Sequence, residues 1–183
     1  MVRNVKVARE TDRNMKTLGI AIWVLATFLI SPLLSAAEVG KPAPDIQLPK
    51  LNESNIGDSA QISDFRGKLV YLDFWASWCG PCRKSFPVLN ELHNTYNSLG
   101  FEVVAINVDE NLEDALGFLE KHPVDYTILL DSEAISPQKF NVPGMPTAYI
   151  IDAEGNIIHR HVGFRNGDAE KIEKLINELL IGT

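Results

Sequence analysis

Cysteine is nearly missing from this 183-residue chain, which has only Cys79 and Cys82. A zinc site argues for two further Cys or His at close spacing, and His93, His122, His159 and His161 are scattered away from the pair. Attachment of a c-type haem needs His directly after the second cysteine, where Arg83 stands instead. Positive charge is also short, with 17 Lys and Arg against 24 Asp and Glu, and no basic cluster follows residue 37 to track phosphates. Nucleic-acid binding is therefore not expected. Internal repeats and low-complexity tracts are absent as well. What remains, 45% hydrophobic and 22% charged, is the composition of one ordinary globular domain.

The one long apolar run is Leu18 to Leu34, preceded by Arg3, Lys6, Arg9, Arg13 and Lys16 and followed by Ser35-Ala36-Ala37. This pattern predicts a secretory signal peptide over residues 1–37, cleaved after Ala37, with a more compact leader if translation begins at Met15. The alternative is an uncleaved inner-membrane anchor that leaves the domain facing the periplasm. Residues 1–37 hold five of the Lys and Arg and two of the Asp and Glu, so the remaining 38–183 carry a net charge of −10. The exported domain is acidic.

Chemistry concentrates in Phe74 to Cys82, F-W-A-S-W-C-G-P-C, at a strand-to-helix junction. A helix starting at Gly80 brings the two sulfurs within bonding distance across one turn, so a reversible disulfide is possible. Cys79 then takes the N-cap and Pro81 the first turn, where its missing N–H costs nothing. The free N–H groups and positive dipole end favour a thiolate at Cys79, making it the nucleophile and Cys82 the resolving thiol. A purely structural disulfide is the alternative, but so short a loop restrains the unfolded chain little.

These residues, with I-S-D-F-R-G-K (62–68) before them and V-P-G-M-P-T-A-Y-I-I-D (142–152) after, resemble the TlpA-like (DsbE/ResA-like) branch of the thioredoxin superfamily. The resemblance covers about Lys41 to Leu180. It implies a thioredoxin fold of the α/β class, a mixed central sheet flanked by helices, with an N-terminal extended or hairpin extension. It also implies a thiol-disulfide oxidoreductase whose only redox group is the Cys79–Cys82 pair, with no metal and no other cofactor. Asp73, in an otherwise apolar strand, should have its pKa raised by desolvation. By resemblance it is the proton acceptor for Cys82; the alternative is a hydrogen-bonded structural Asp. Where thioredoxins often place a lysine near that acid this chain has Ala105. Pro146 matches the family's cis-proline loop facing the dithiol, which would leave the Met145 backbone free to pair with an extended substrate. Trp78 is expected on the rim beside Cys79 and Trp75 in the core.

The rest of the chain alternates. Strands are predicted at Lys68 to Trp75, Phe101 to Val108, Tyr126 to Leu130, Thr147 to Ile151 and Asn156 to Val162. Helices are predicted from Gly80 to about Ser98 with a kink at Pro87, at Leu112 to Lys121, weakly at Ala134 to Phe140, and from a cap at Asp168 to Leu180. Asp152-Ala-Glu-Gly155 predicts a hairpin turn. Arg83, Lys84, Asp109 and Glu110 read as solvated helix face or loop.

Taken together the expectation is an exported reductant of protein disulfides, serving client proteins that by resemblance include apocytochromes c, and recharged by a membrane electron donor. Gly80-Pro81 is thioredoxin's own dipeptide, which favours a reducing pair. An oxidase or isomerase is one rival. A copper-handling protein is another, with Met145 the one additional soft ligand in view.

Overall fold

The computed structural model describes residues 37–52 and 55–182. Of the leader, anchor and Met15 start expected over residues 1–37, all but Ala37 lies outside the described residues. Ala37, just before the expected cut, is buried and donates its N–H to the Lys139 carbonyl at 3.2 Å. Among the described residues no helix is long and apolar enough to cross a membrane.

Among the described residues seven strands form one sheet: β1 (Gln47–Asn52), β2 (Asn55–Gln61), β3 (Leu69–Trp75), β4 (Phe101–Asn107), β5 (Thr127–Leu130), β6 (Thr147–Ile151) and β7 (Ile157–Val162). Their spatial order is β2-β1-β5-β4-β3-β6-β7. The central β3, β4 and β5 run parallel and β6 and β7 antiparallel, so the sheet is mixed. Every residue of β3 and β4 is buried, which explains why their sequences are continuous runs instead of alternating ones. The extension at the amino-terminal side is a hairpin of β1 and β2, joined to the sheet by a Lys50 to Leu129 pairing.

The α-helices of the described residues that cover this sheet are α1 (Cys82–Tyr96), α2 (Leu112–Lys121), α3 (Ile135–Lys139) and α4 (Asp168–Ile181). Residues of α1, α2 and α4 share one core layer with Tyr71, Trp75, Ala105 and Ala148. The opposite layer joins Leu72, Phe74, Val104, Phe140 and Tyr149. Below the dithiol, Trp75, Phe86 and Phe118 pack with ring centres 4.7 to 4.9 Å apart, geometry that adds about 0.5–1.5 kcal/mol per pair beyond burial.

Several expected boundaries move. α1 starts at Cys82 and not Gly80, because the Pro81 carbonyl is the first to accept helical N–H groups, from Lys84 at 3.0 Å and Ser85 at 3.2 Å. Cys79 therefore precedes the cap. The helix continues through Pro87, which removes only the N–H that would reach the Arg83 carbonyl, and it ends at Tyr96 before a 3₁₀ turn at Asn97–Leu99. Asp168 is the first helical residue of α4, and Gly167 at φ 85° holds the cap position. Its carboxylate reaches back to accept the Arg165 N–H at 2.8 Å. The Asp152 to Gly155 turn forms as expected, with Gly155 at φ 91° and its N–H on the Asp152 carbonyl at 2.9 Å.

Candidate active site

Cys79 and Cys82 are joined as a disulfide, their Cα atoms 5.3 Å apart. The Cys79 N–H is held by the Ala76 carbonyl at 3.0 Å, which closes the turn leading out of β3. The Cys82 N–H, at the start of α1, donates to Sγ of Cys79 at 3.2 Å. That donor and the positive helix end stabilise negative charge on this sulfur when the pair is reduced. In the oxidised form Cys79 keeps 3% of its surface and Cys82 none. Trp78, the residue before Cys79, is 69% exposed. Arg83 and Lys84 are exposed, as expected.

Asp73 lies in β3 between Tyr71 and Trp75, facing the layer that contains Cys82. It is 1% exposed and its Oδ2 has no protein hydrogen-bond partner. Desolvation raises its pKa well above the usual carboxylate value. Its register partners are Ala105 on β4 and Ala148 on β6, so no cation occupies either side. The phenols of Tyr71 and Tyr126 are also pushed up, first by burial and then by the charge of Asp73.

The peptide between Met145 and Pro146 is cis. Phe74 pairs with Thr147, and continuing that antiparallel register places Pro146 beside Trp75 and Met145 beside Ala76, on the segment that leads to the dithiol. Thr147 Oγ1 donates to the Gly144 carbonyl at 2.6 Å, and the Pro146 carbonyl accepts the Gly163 N–H at 2.8 Å. Among the described residues the Met145 main chain makes no hydrogen bond.

Sequence reading missed Asp109, which it assigned with exposed Glu110 to a loop. Asp109 is 4% exposed, and its carboxylate accepts the Ser77 N–H at 2.9 Å, the Ser77 hydroxyl at 3.0 Å and the Asn107 side-chain amide at 2.8 Å. Its own N–H donates to Asn107 Oδ1 at 3.0 Å. The end of β4 thus fixes Ser77, two residues before Cys79. Only the polar pair Asn107 and Asp109 closing an apolar strand hinted at this, since the partner is 32 residues away.

Comparison with known proteins agrees with this geometry. The family described as Redoxin matches residues 38–176. The thiol-disulfide oxidoreductase ResA of Geobacillus kaustophilus (strain HTA426) is 36% identical over 123 residues, 67% of this chain and 68% of the relative. ResA of Bacillus cereus (strain ATCC 10987 / NRS 248) is 30% identical over 142 residues, 78% and 79% of the two chains. The crystal structure of a protein from Chlorobium tepidum, provisionally assigned as the thiol:disulfide interchange protein DsbE, superposes with a TM-score of 0.74 at 42% identity, covering 79% of this chain and 99% of that one. With a dithiol at a strand-to-helix junction on a thioredoxin fold, the chain belongs to the Redoxin family and is a TlpA-like thiol-disulfide oxidoreductase of the thioredoxin superfamily.

Proposed function

We propose that the protein is an exported reductant of disulfides in other proteins, with Cys79 as nucleophile, Cys82 as resolving thiol and Asp73 as the base that serves Cys82. The observation that carries this reading is the Cys82 N–H directed at Sγ of Cys79 while Cys82 itself is sealed from solvent. In the reduced protein the Cys79 thiolate attacks one sulfur of a client disulfide and releases the other as a thiolate. Asp73 then takes the Cys82 proton, and the Cys82 thiolate attacks Sγ of Cys79. The second client thiol leaves and the pair is oxidised by two electrons.

Trp78 and the unpaired Met145 main chain beside Pro146 are the surfaces that would hold an extended client segment. Apocytochromes c are the client class that the family resemblance suggests. Export rests on the apolar run and Ser35-Ala36-Ala37, and an oxidising compartment requires a membrane electron donor to restore the dithiol. Measuring the reduction potential tests the direction of transfer. A value near thioredoxin's, about −270 mV, supports a reductant, and one near about −120 mV makes the protein an oxidase.

A further inference from the structure

As the base proposed for Cys82, Asp73 would exchange protons where solvent does not reach, so its proton needs a route. Sheet register supplies a candidate. Ile128 of β5, Ala105 of β4, Asp73 of β3, Ala148 of β6 and His161 of β7 are successive register partners, and register partners project from the same face. In one direction from Asp73 the row ends in an isoleucine. In the other, a single alanine methyl separates it from His161, whose side chain is 23% exposed. Two strand spacings put the Asp73 and His161 backbones about 10 Å apart, a gap that two side chains and one bridging water span.

Asp73 Oδ2 and His161 Nε2 are both buried polar atoms with no protein hydrogen-bond partner. Beyond His161 the row reaches α4, where Asp168 Oδ2 lies 3.5 Å from Nε2 and Lys171 Nζ lies 3.0 Å from Asp168 Oδ1. Tyr71, two residues before Asp73 on the same face, is pushed up first by burial and then by the charges of Asp73 and Asp168. On the far side Tyr126 is the competing exit, since its buried hydroxyl also lacks a protein partner and it borders a 490 Å³ groove with Leu51, Leu119 and Val124.

We propose that the proton Asp73 takes from Cys82 leaves the core sideways across the sheet, through His161 with Asp168 stabilising the imidazolium, and not through the mouth of the dithiol. This rests on the reading of Asp73 as the base for Cys82. Cys82 gives its proton to the Asp73 carboxylate, its sulfur bonds to Sγ of Cys79, and the client sulfur departs with the electron pair of the broken bond. Asp73 hands that proton to His161, which releases it to solvent. Beside the route, among the described residues, are His159 on β7, which feels His161, Arg165, whose N–H donates to Asp168, and Lys171 on α4.

The test uses the full reduced protein and Ellman's reagent in weak buffer, where release of the second thionitrobenzoate reports the resolving step. His161→Gln should leave attack by Cys79 unchanged and slow resolution about tenfold, a modest share of what proton transfer contributes. Imidazole should restore the rate of His161→Ala in proportion to its concentration, which a merely structural role of the side chain would not allow. Resolution by His161→Gln within about twofold of the parent, no rescue by imidazole, or slowing by Tyr126→Phe instead overturns the route. If Asp73→Asn resolves slowly while His161→Gln is normal, the route alone falls. If Asp73→Asn resolves at the parent rate, the assignment of Asp73 falls and the route with it.

Discussion

Replacing Asp73 by Asn separates two consequences of burying a carboxyl in β3. The side chain is 1% exposed, has alanine on both flanks and has its pKa raised by desolvation alone. Below the unfolded value of about 3.9 the acid is protonated in both states and resembles the amide. Above it the unfolded chain releases the proton while the folded chain keeps it. The folded state then binds one more proton than the unfolded state, and stability falls as pH rises. The fall relative to Asp73→Asn is about 1.4 kcal/mol per pH unit and stops once pH passes the raised folded pKa. Asp73→Asn should therefore be the more stable protein at neutral pH, by a margin that is absent near pH 4. Urea denaturation of both oxidised proteins at a series of pH values measures it. The same substitution should slow the resolving step by about a hundredfold or more while sparing attack by Cys79. A stability difference that is flat with pH, or that favours the parent increasingly as pH rises, refutes the account of a desolvated acid.

Other perturbations reach different parts of the site. Asp109→Ala leaves the Ser77 N–H, the Ser77 hydroxyl and the Asn107 amide without their acceptor, and should cost about 2–4 kcal/mol in thermal or urea unfolding as well as client turnover. Asp109→Asn keeps one acceptor oxygen and should lose less than half as much. Trp78→Ala should change stability by under about 0.5 kcal/mol, because the ring is exposed, yet weaken reduction of protein disulfides more than of small ones. Sequencing the amino terminus of protein from a periplasmic extract should find Glu38 first; an intact leader in the membrane fraction would contradict export by cleavage.

What the sequence made legible is what local pattern determines. The dithiol, the buried runs of β3 and β4 and the Asp152 to Gly155 turn each announce themselves within a few residues. Asp73 could be singled out because a carboxyl in so apolar a strand has few innocent explanations. The start of α1 was displaced because proline's fixed φ suits either a first-turn or a cap position, and only the carbonyl that first accepts a helical N–H decides. β2, N-I-G-D-S-A-Q, has little strand propensity, and its pairing with β1 overrides that weakness. Asp109 and the row from Asp73 to His161 join residues distant in sequence through strand register, which no single-sequence pattern encodes. The cis isomer at Pro146 was reachable only through the resemblance of its loop.

The central claim, that Cys79 attacks and Cys82 resolves, is tested most directly by trapping covalent partners in cells with each cysteine replaced in turn. Cys82→Ser should accumulate mixed disulfides with client proteins, because attack proceeds and the sealed second sulfur is gone. Cys79→Ser should trap few. Equal trapping by the two variants, or more by Cys79→Ser, would contradict the assigned roles.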